Sequence, residues 1–152
     1  MLLKDEVQML RQVPLFAGVD PAKLKLLAFT SQRVSFSDGE VLFHQGDPGD
    51  AAYVILSGSA DILTGSEKGL IKVAEVTRNA IVGEIAILCD GTRTATVRAQ
   101  NPVEALRIGK EQFLKLMSDF PEITIGVMRV LAERLSATTA ELTIARSKLS
   151  LN

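Results

Sequence analysis

The sequence predicts a mainly β domain with flanking helices, an antiparallel β-roll of jelly-roll type. Three observations carry that expectation. Between residues 32 and 108, short β-prone runs alternate with glycine-bearing turns. Ahead of them, apolar residues recur at helical spacing. Behind them, Met128, Leu135, Leu142 and Leu149 recur every seven residues. A chain of 152 residues is long enough for one domain with one core, so residues 1–152 are expected to be a single unit. Its parts are N-terminal helices over 1–30, the roll over 31–109 and C-terminal helices over 110–152.

Taken in order, residues 3–30 read as helical. Val7, Leu10 and Val13 lead into Pro14, which should break the first helix. Asp20 is placed to cap a second one, with Pro21 at its first position. Leu24, Leu27 and Ala28 give that helix its apolar stripe. In the roll, Val34 and Phe36 precede a Ser37-Asp38-Gly39 turn, and Val41 and Phe43 precede Gln45-Gly46-Asp47-Pro48-Gly49-Asp50. Tyr53-Val54-Ile55-Leu56 meets Ser57-Gly58-Ser59, which reads as a tight hairpin returning through Ala60-Asp61-Ile62-Leu63. Further strands are expected over 71–76, 94–99 and 103–108. Residues 110–117 read as a short helix, and Pro121 opens a long one running to about residue 149. Leu131, Thr138 and Ala145 fill the second seam of its heptads, a pattern that can zip two chains together. The plainer reading is that this face packs on its own roll. The helix outruns so small a roll, so a homodimer is the favoured expectation.

Bulk properties remove several classes. With 47% apolar and 23% charged residues, the chain has the mix of a soluble globular protein. A net charge of -1 gives no broad pull toward nucleic acid or an anionic membrane. The single cysteine, Cys89, excludes an internal disulfide framework and a cysteine-rich metal site, and is expected to be inert packing. The single histidine, His44, is expected on a partly exposed strand and leaves no cluster for a metal or a nucleophile–base pair. No catalytic residues, metal or cofactor are therefore expected, and the chain does not read as an enzyme. Lys4, Asp5 and Glu6 interrupt any signal-peptide core, and no apolar run reaches the span of about 18 residues a bilayer needs. The expectation is a cytoplasmic protein that does not enter the membrane.

The chemistry concentrates between residues 81 and 97. Gly83 permits close backbone approach, and Glu84-Ile85-Ala86-Ile87-Leu88 is long enough for about one helical turn. A helix start presents unpaired N–H groups, which suits a phosphate. Beyond a Gly91 turn, Arg93 carries a guanidinium able to meet phosphate oxygens in a two-pronged contact. Glu84 can accept a hydrogen bond from a ribose 2′-hydroxyl. A strand after Arg93 would put Thr94 and Thr96 on one face. From Glu84 and Arg93 alone, an ordinary ion pair at a helix–turn–strand corner remains the commoner reading.

The whole segment is more specific. Gly83-Glu84-Ile85-Ala86-Ile87-Leu88 followed by Arg93-Thr94-Ala95-Thr96-Val97 resembles the phosphate-binding cassette of cyclic-nucleotide-binding domains, in residue type and spacing. Gly39-Glu40-Val41-Leu42-Phe43, the Gln45–Asp50 turn and Tyr53-Val54-Ile55-Leu56-Ser57-Gly58 are similar to the family's early strands. Pro14-Leu15-Phe16 with Leu24, Leu27 and Ala28 is similar to its N-terminal helical bundle. The likeness covers nearly the whole chain. It implies that Glu84 binds the ribose 2′-hydroxyl of cAMP or cGMP and that Arg93 neutralises the cyclic phosphate. Backbone N–H groups of Ile85, Ala86 and Thr94 would add phosphate contacts, Ala95 would line the site, and Gly83 would let the sugar sit close. Val73 and Ile81, if inward, would pack on the base, and the long C-terminal helix would act as a lid through Arg134, Leu135 or Thr138.

Two positions depart from the family pattern. Val82 replaces the usual aromatic before the glycine, and Thr92 replaces the usual proline before the arginine, which should loosen the turn. Neither removes a ligand-binding group. Thr94 permits cGMP without requiring it, and cAMP is the favoured ligand. The catabolite activator-type regulators that the domain resembles continue into a helix-turn-helix module. This sequence stops at Asn152, so direct DNA binding is not expected and an unidentified protein partner is. The competing expectation is a ligand-free roll acting by dimerisation or docking, and the intact Glu84 and Arg93 weigh against it.

Overall fold

The computed structural model describes residues 3–13 and 16–150. The expected break at Pro14 and the Pro14-Leu15 part of the family likeness fall outside them. Two N-terminal helices, α1 (Leu3–Arg11) and α2 (Pro21–Thr30), come first. Eight strands follow, interrupted by one short helix: β1 (Gln32–Phe36), β2 (Val41–Phe43), β3 (Ala51–Ser57), β4 (Ala60–Ser66), β5 (Gly69–Val76), β6 (Ile81–Val82), α3 (Glu84–Leu88), β7 (Thr96–Ala99) and β8 (Val103–Gly109). Two helices close the chain, α4 (Lys110–Asp119) and α5 (Pro121–Ser150).

The strands form two antiparallel four-stranded sheets, ordered β1-β8-β3-β6 and β2-β7-β4-β5. That arrangement corrects one sequence expectation. Ser57-Gly58-Ser59 is not a hairpin turn, because β3 and β4 lie in different sheets. Both hydrogen-bonding edges of β3 are taken, by β8 and β6, so β4 pairs with β7 in the other sheet. The true hairpin is β4–β5, paired from Ala60 with Val76 to Ser66 with Gly69.

β3 divides the core. Ala52, Val54 and Leu56 face one cluster with Leu10, Leu24, Leu27, Phe113 and Ile123 from the helices and Phe16 from the α1–α2 connection. Ala51, Tyr53 and Ile55 face a second one, between the sheets, with Leu42, Val82, Val97 and Ala105. Alternation along the strand produces both from one run of residues. Asp20 caps α2 as its sequence implies, its Oδ1 accepting from Ala22 N–H at 2.9 Å.

Helix α5 behaves differently along its length. Ile123 and Val127 are buried against the roll, while residues 135–149 are all exposed. The stretch spans about 22 Å at the usual helical rise. No helix among the described residues is long and apolar enough to cross a membrane.

Candidate functional site

Strand β6 delivers the chain to Gly83, which turns it sharply. Gly83 sits in the left-handed region with φ 87°, as the N-cap of α3. A Cβ there would lie 2.6 Å from Arg93 Nη1 and 3.0 Å from the Ala51 carbonyl oxygen. Only glycine satisfies both the dihedral and the space. The helix then buries Glu84, Ala86 and Ile87, and leaves Ile85 37% exposed.

A second loop clasps the turn that follows. Arg93 N–H donates to Asp47 O at 2.7 Å, and Gly46 N–H donates to Arg93 O at 2.9 Å. Pro48 bridges Thr92, and Gln45 N–H donates to Thr96 Oγ1 at 2.9 Å. The turn that Thr92 was expected to loosen is thus held from the 45–50 loop. The aromatic absent at Val82 is made up from other strands. Val82 pairs with Tyr53, whose ring stacks on Phe43 at 6.0 Å.

Glu84 and Arg93 are 1% and 3% exposed, which is costly for ionisable groups unless they are partnered. They do not pair with each other through a hydrogen bond. Arg93 Nη1 donates to Gly83 O at 2.9 Å, and Nη2 donates to Ala51 O at 2.7 Å and Asp50 Oδ1 at 3.1 Å. Glu84 Oε1 accepts from Arg134 Nη1 of α5 at 2.6 Å, and Arg134 Nη2 donates to Ile81 O at 3.0 Å. One polar atom on each residue remains without a hydrogen-bond partner among the described residues, Glu84 Oε2 and Arg93 Nε. Burial pushes the Glu84 carboxyl above the ordinary glutamate range. The positive charge of Arg134, and to a smaller degree that of Arg93, pulls it back.

Both residues line a small cleft of about 70 Å3 with Gly83, Ile85, Ala86, Thr94, Ala95 and Arg134, closed on its apolar side by Phe43, Ile62, Val82 and Val97. The structure therefore brings together eight of the sequence-derived residues and separates four. Val73 is 54% exposed on β5, because that strand forms the outer edge of its sheet. The Ile81 side chain is in the helix-facing core, and only its carbonyl turns toward Arg134. Leu135 and Thr138 are exposed on the free part of α5, past the point where the helix leaves the roll. Thr94 and Thr96 do not share a strand face, since β7 starts at Thr96; Thr94 lines the cleft and Thr96 is buried.

Asp50, Ala51 and Phe43 complete the Arg93 environment and were not singled out from the sequence. Asp50 and Phe43 stand inside the motifs noted there, but nothing in their spacing signals a contact with residue 93. Cys89 is exposed at the end of α3, not packed. His44 lies just past β2 in an exposed turn, its Nδ1 3.7 Å from Asp47 Oδ2. Among the described residues, no cluster of His, Cys, Asp or Glu is placed to hold a metal ion.

Comparison with known proteins agrees with this geometry. The cyclic nucleotide-binding domain profile matches residues 33–120. The chain belongs to that family. It is 30% identical over 136 residues to a CRP-like cAMP-activated global transcriptional regulator of Mycobacterium tuberculosis, covering 89% of this chain and 61% of the relative. It is 30% identical over 115 residues to a cAMP-dependent protein kinase regulatory subunit of Blastocladiella emersonii, covering 75% of this chain and 28% of the relative. The catabolite activator protein of Thermus thermophilus superposes with a TM-score of 0.78 at 30% identity, over 86% of this chain and 62% of that one. The chain thus spans less than two thirds of each of these proteins, and those two curated relatives carry regulatory names.

Proposed function

We propose that the cleft binds a cyclic nucleotide, cAMP in preference to cGMP, and that α5 passes its occupancy to a partner. One observation carries the reading. A buried carboxylate and a buried guanidinium each hold a polar atom in reserve, Glu84 Oε2 and Arg93 Nε, and both residues line the same cleft. A ribose 2′-hydroxyl donating to Glu84 and a cyclic phosphate accepting from Arg93 would satisfy them. The N–H groups of Ile85, Ala86 and Thr94 would supply further phosphate donors, and Gly83 would admit the sugar. Because the Arg93 Nη groups already serve Gly83, Ala51 and Asp50, the phosphate would be met chiefly from Nε, not by a two-pronged fork.

Arg134 links site to output. It joins α5 to Glu84 through Oε1, so the ribose on Oε2 and the helix would meet on one carboxylate. A ligand that binds better with α5 in one position shifts the helix by population. The exposed Leu135, Leu142 and Leu149 then favour a second copy as partner, since an isolated helix of this length is marginal in water. The role is that of a cytoplasmic regulator with no reaction of its own.

The test compares cAMP, cGMP and 2′-deoxy-cAMP by thermal shift on the nucleotide-stripped chain. We expect cAMP to raise the midpoint most and the 2′-deoxy compound to lose much of the effect. Equal shifts with and without the 2′-hydroxyl would contradict the Glu84 role, and no shift with any would sink the nucleotide reading.

A further inference from the structure

We propose that Phe43 is a positioning residue for Arg93, fixing the plane of its guanidinium so that Nε faces the phosphate site; the phosphate half of this rests on the nucleotide reading above. Among the described residues, the three side-chain hydrogen bonds of Arg93 all leave from its Nη atoms, toward Gly83 O, Ala51 O and Asp50 Oδ1. They hold one end of the group and leave Nε free to rock about it. The remaining restraint is out of plane. Arg93 Cζ lies 4.1 Å over the centre of the Phe43 ring.

Charge points the same way. The guanidinium is almost fully withdrawn from water, yet Asp50, its one direct carboxylate partner among the described residues, keeps a side chain 66% exposed and shares itself with Arg107. A solvent-facing carboxylate compensates a buried cation poorly. The negative face of an aromatic ring supplies compensation without competing for the donors that a phosphate needs.

The ring is braced for this work. Phe43 stacks on Tyr53 at 6.0 Å with 29° between planes, and Phe36 meets Tyr53 edge-on at 6.1 Å. The β2–β7 register slips between Val41 and Phe43, a local irregularity of the kind that re-aims a side chain. Gly83 leaves room for the assembly, since a Cβ there would stand 3.4 Å from Phe43 Cε2 as well as against Arg93. Leucine would fill the apolar space. It would not offer a face to the cation.

The experiment uses the full chain with Phe43→Leu and Phe43→Tyr. The side-chain Nε–Hε resonance of Arg93 is followed by NMR without nucleotide, and cAMP affinity by calorimetry. In wild type the Arg93 side-chain protons are expected upfield of free arginine, through the ring current. Phe43→Leu should abolish that displacement and weaken cAMP roughly tenfold, the scale of a desolvated cation–π contact. Phe43→Tyr should restore both. An undisplaced wild-type resonance overturns the proposal even if the leucine variant does not fold, as does a Phe43→Leu protein with unchanged resonance and affinity. Equal loss in the tyrosine variant overturns it too. A wild-type chain that binds no cyclic nucleotide removes the phosphate role, while the resonance still decides whether Phe43 sets the guanidinium.

Discussion

Residues 81–97 and residues 135–149 lie on either side of Arg134 and are stabilised in opposite ways. The first segment is closed on itself. Gly83 is fixed by sterics, the turn is clasped by the 45–50 loop, and Glu84 and Arg93 are buried. The second is a helix whose side chains all face solvent, with Leu135 68% and Leu149 73% exposed. A surface that must recognise a small ligand gains from being rigid before the ligand arrives. A surface that must report cannot be held by the same roll, or it could not move. The division of labour follows from which residues find partners inside the chain and which do not.

The largest expected effect breaks the free side of this comparison. Leu135→Glu with Leu142→Glu should leave the thermal midpoint of the roll nearly unchanged, because both leucines are exposed. The same pair should raise a dimer dissociation constant at least a hundredfold, about 3 kcal/mol. Analytical ultracentrifugation reads the outcome directly. A dimer that survives both charges would move the interface off the heptad seam.

Two substitutions probe the closed side. Gly83→Ala forces a side chain into the left-handed region and against Arg93, and should cost about 1–3 kcal/mol in chemical unfolding. Gly49→Ala should cost a comparable amount, about 1–3 kcal/mol, since its Cβ would fall 2.4 Å from Ala86 Cβ and 2.9 Å from the Ala86 backbone carbon, neither of which can swing aside. A loss well under about 1 kcal/mol at either position would show that the backbone yields more easily than its geometry suggests.

The smallest effect is one of pH. The Glu84 carboxyl titrates above its unfolded value, so the folded chain holds its proton longer than the unfolded chain does. Its contribution to stability is therefore greatest at acid pH and declines as pH rises from the ordinary glutamate range through the raised one. Glu84→Gln should stabilise the nucleotide-free chain near neutral pH and lose that advantage in acid. Asp61, Glu75, Asp90 and Glu104 are shifted downward and act in the opposite sense, so the comparison must be variant against wild type. A variant less stable than wild type at neutral pH would mean that the Arg134 contact outweighs burial.

Much of this was legible from residues alone. Glu84, Arg93 and the α3 turn stand within one short segment, where the family likeness of the whole segment, not the spacing of the two charges, marks the site. Capping by Asp20 and the start of α5 at Pro121 are likewise local. What escaped depends on distance along the chain. The placement of β3 and β4 in different sheets follows from β8 and β6 taking both edges of β3, which a run of apolar residues does not reveal. The Phe43 and Asp50 contacts with Arg93 join residues 50 and 43 positions apart, and no periodicity encodes them. Val73 was misplaced for the same reason, because an apolar residue on an edge strand reads like one in a core.

The central claim is that Arg93 and Glu84 are kept buried and incompletely bonded for a cyclic nucleotide. Calorimetric titration of cAMP into nucleotide-stripped wild type and Arg93→Ala tests it most directly. The account predicts micromolar or tighter binding to wild type and a loss of roughly 2 kcal/mol or more in the variant, the scale of a charge-assisted contact. Equal affinity in both, or no binding to the wild-type chain, would contradict it.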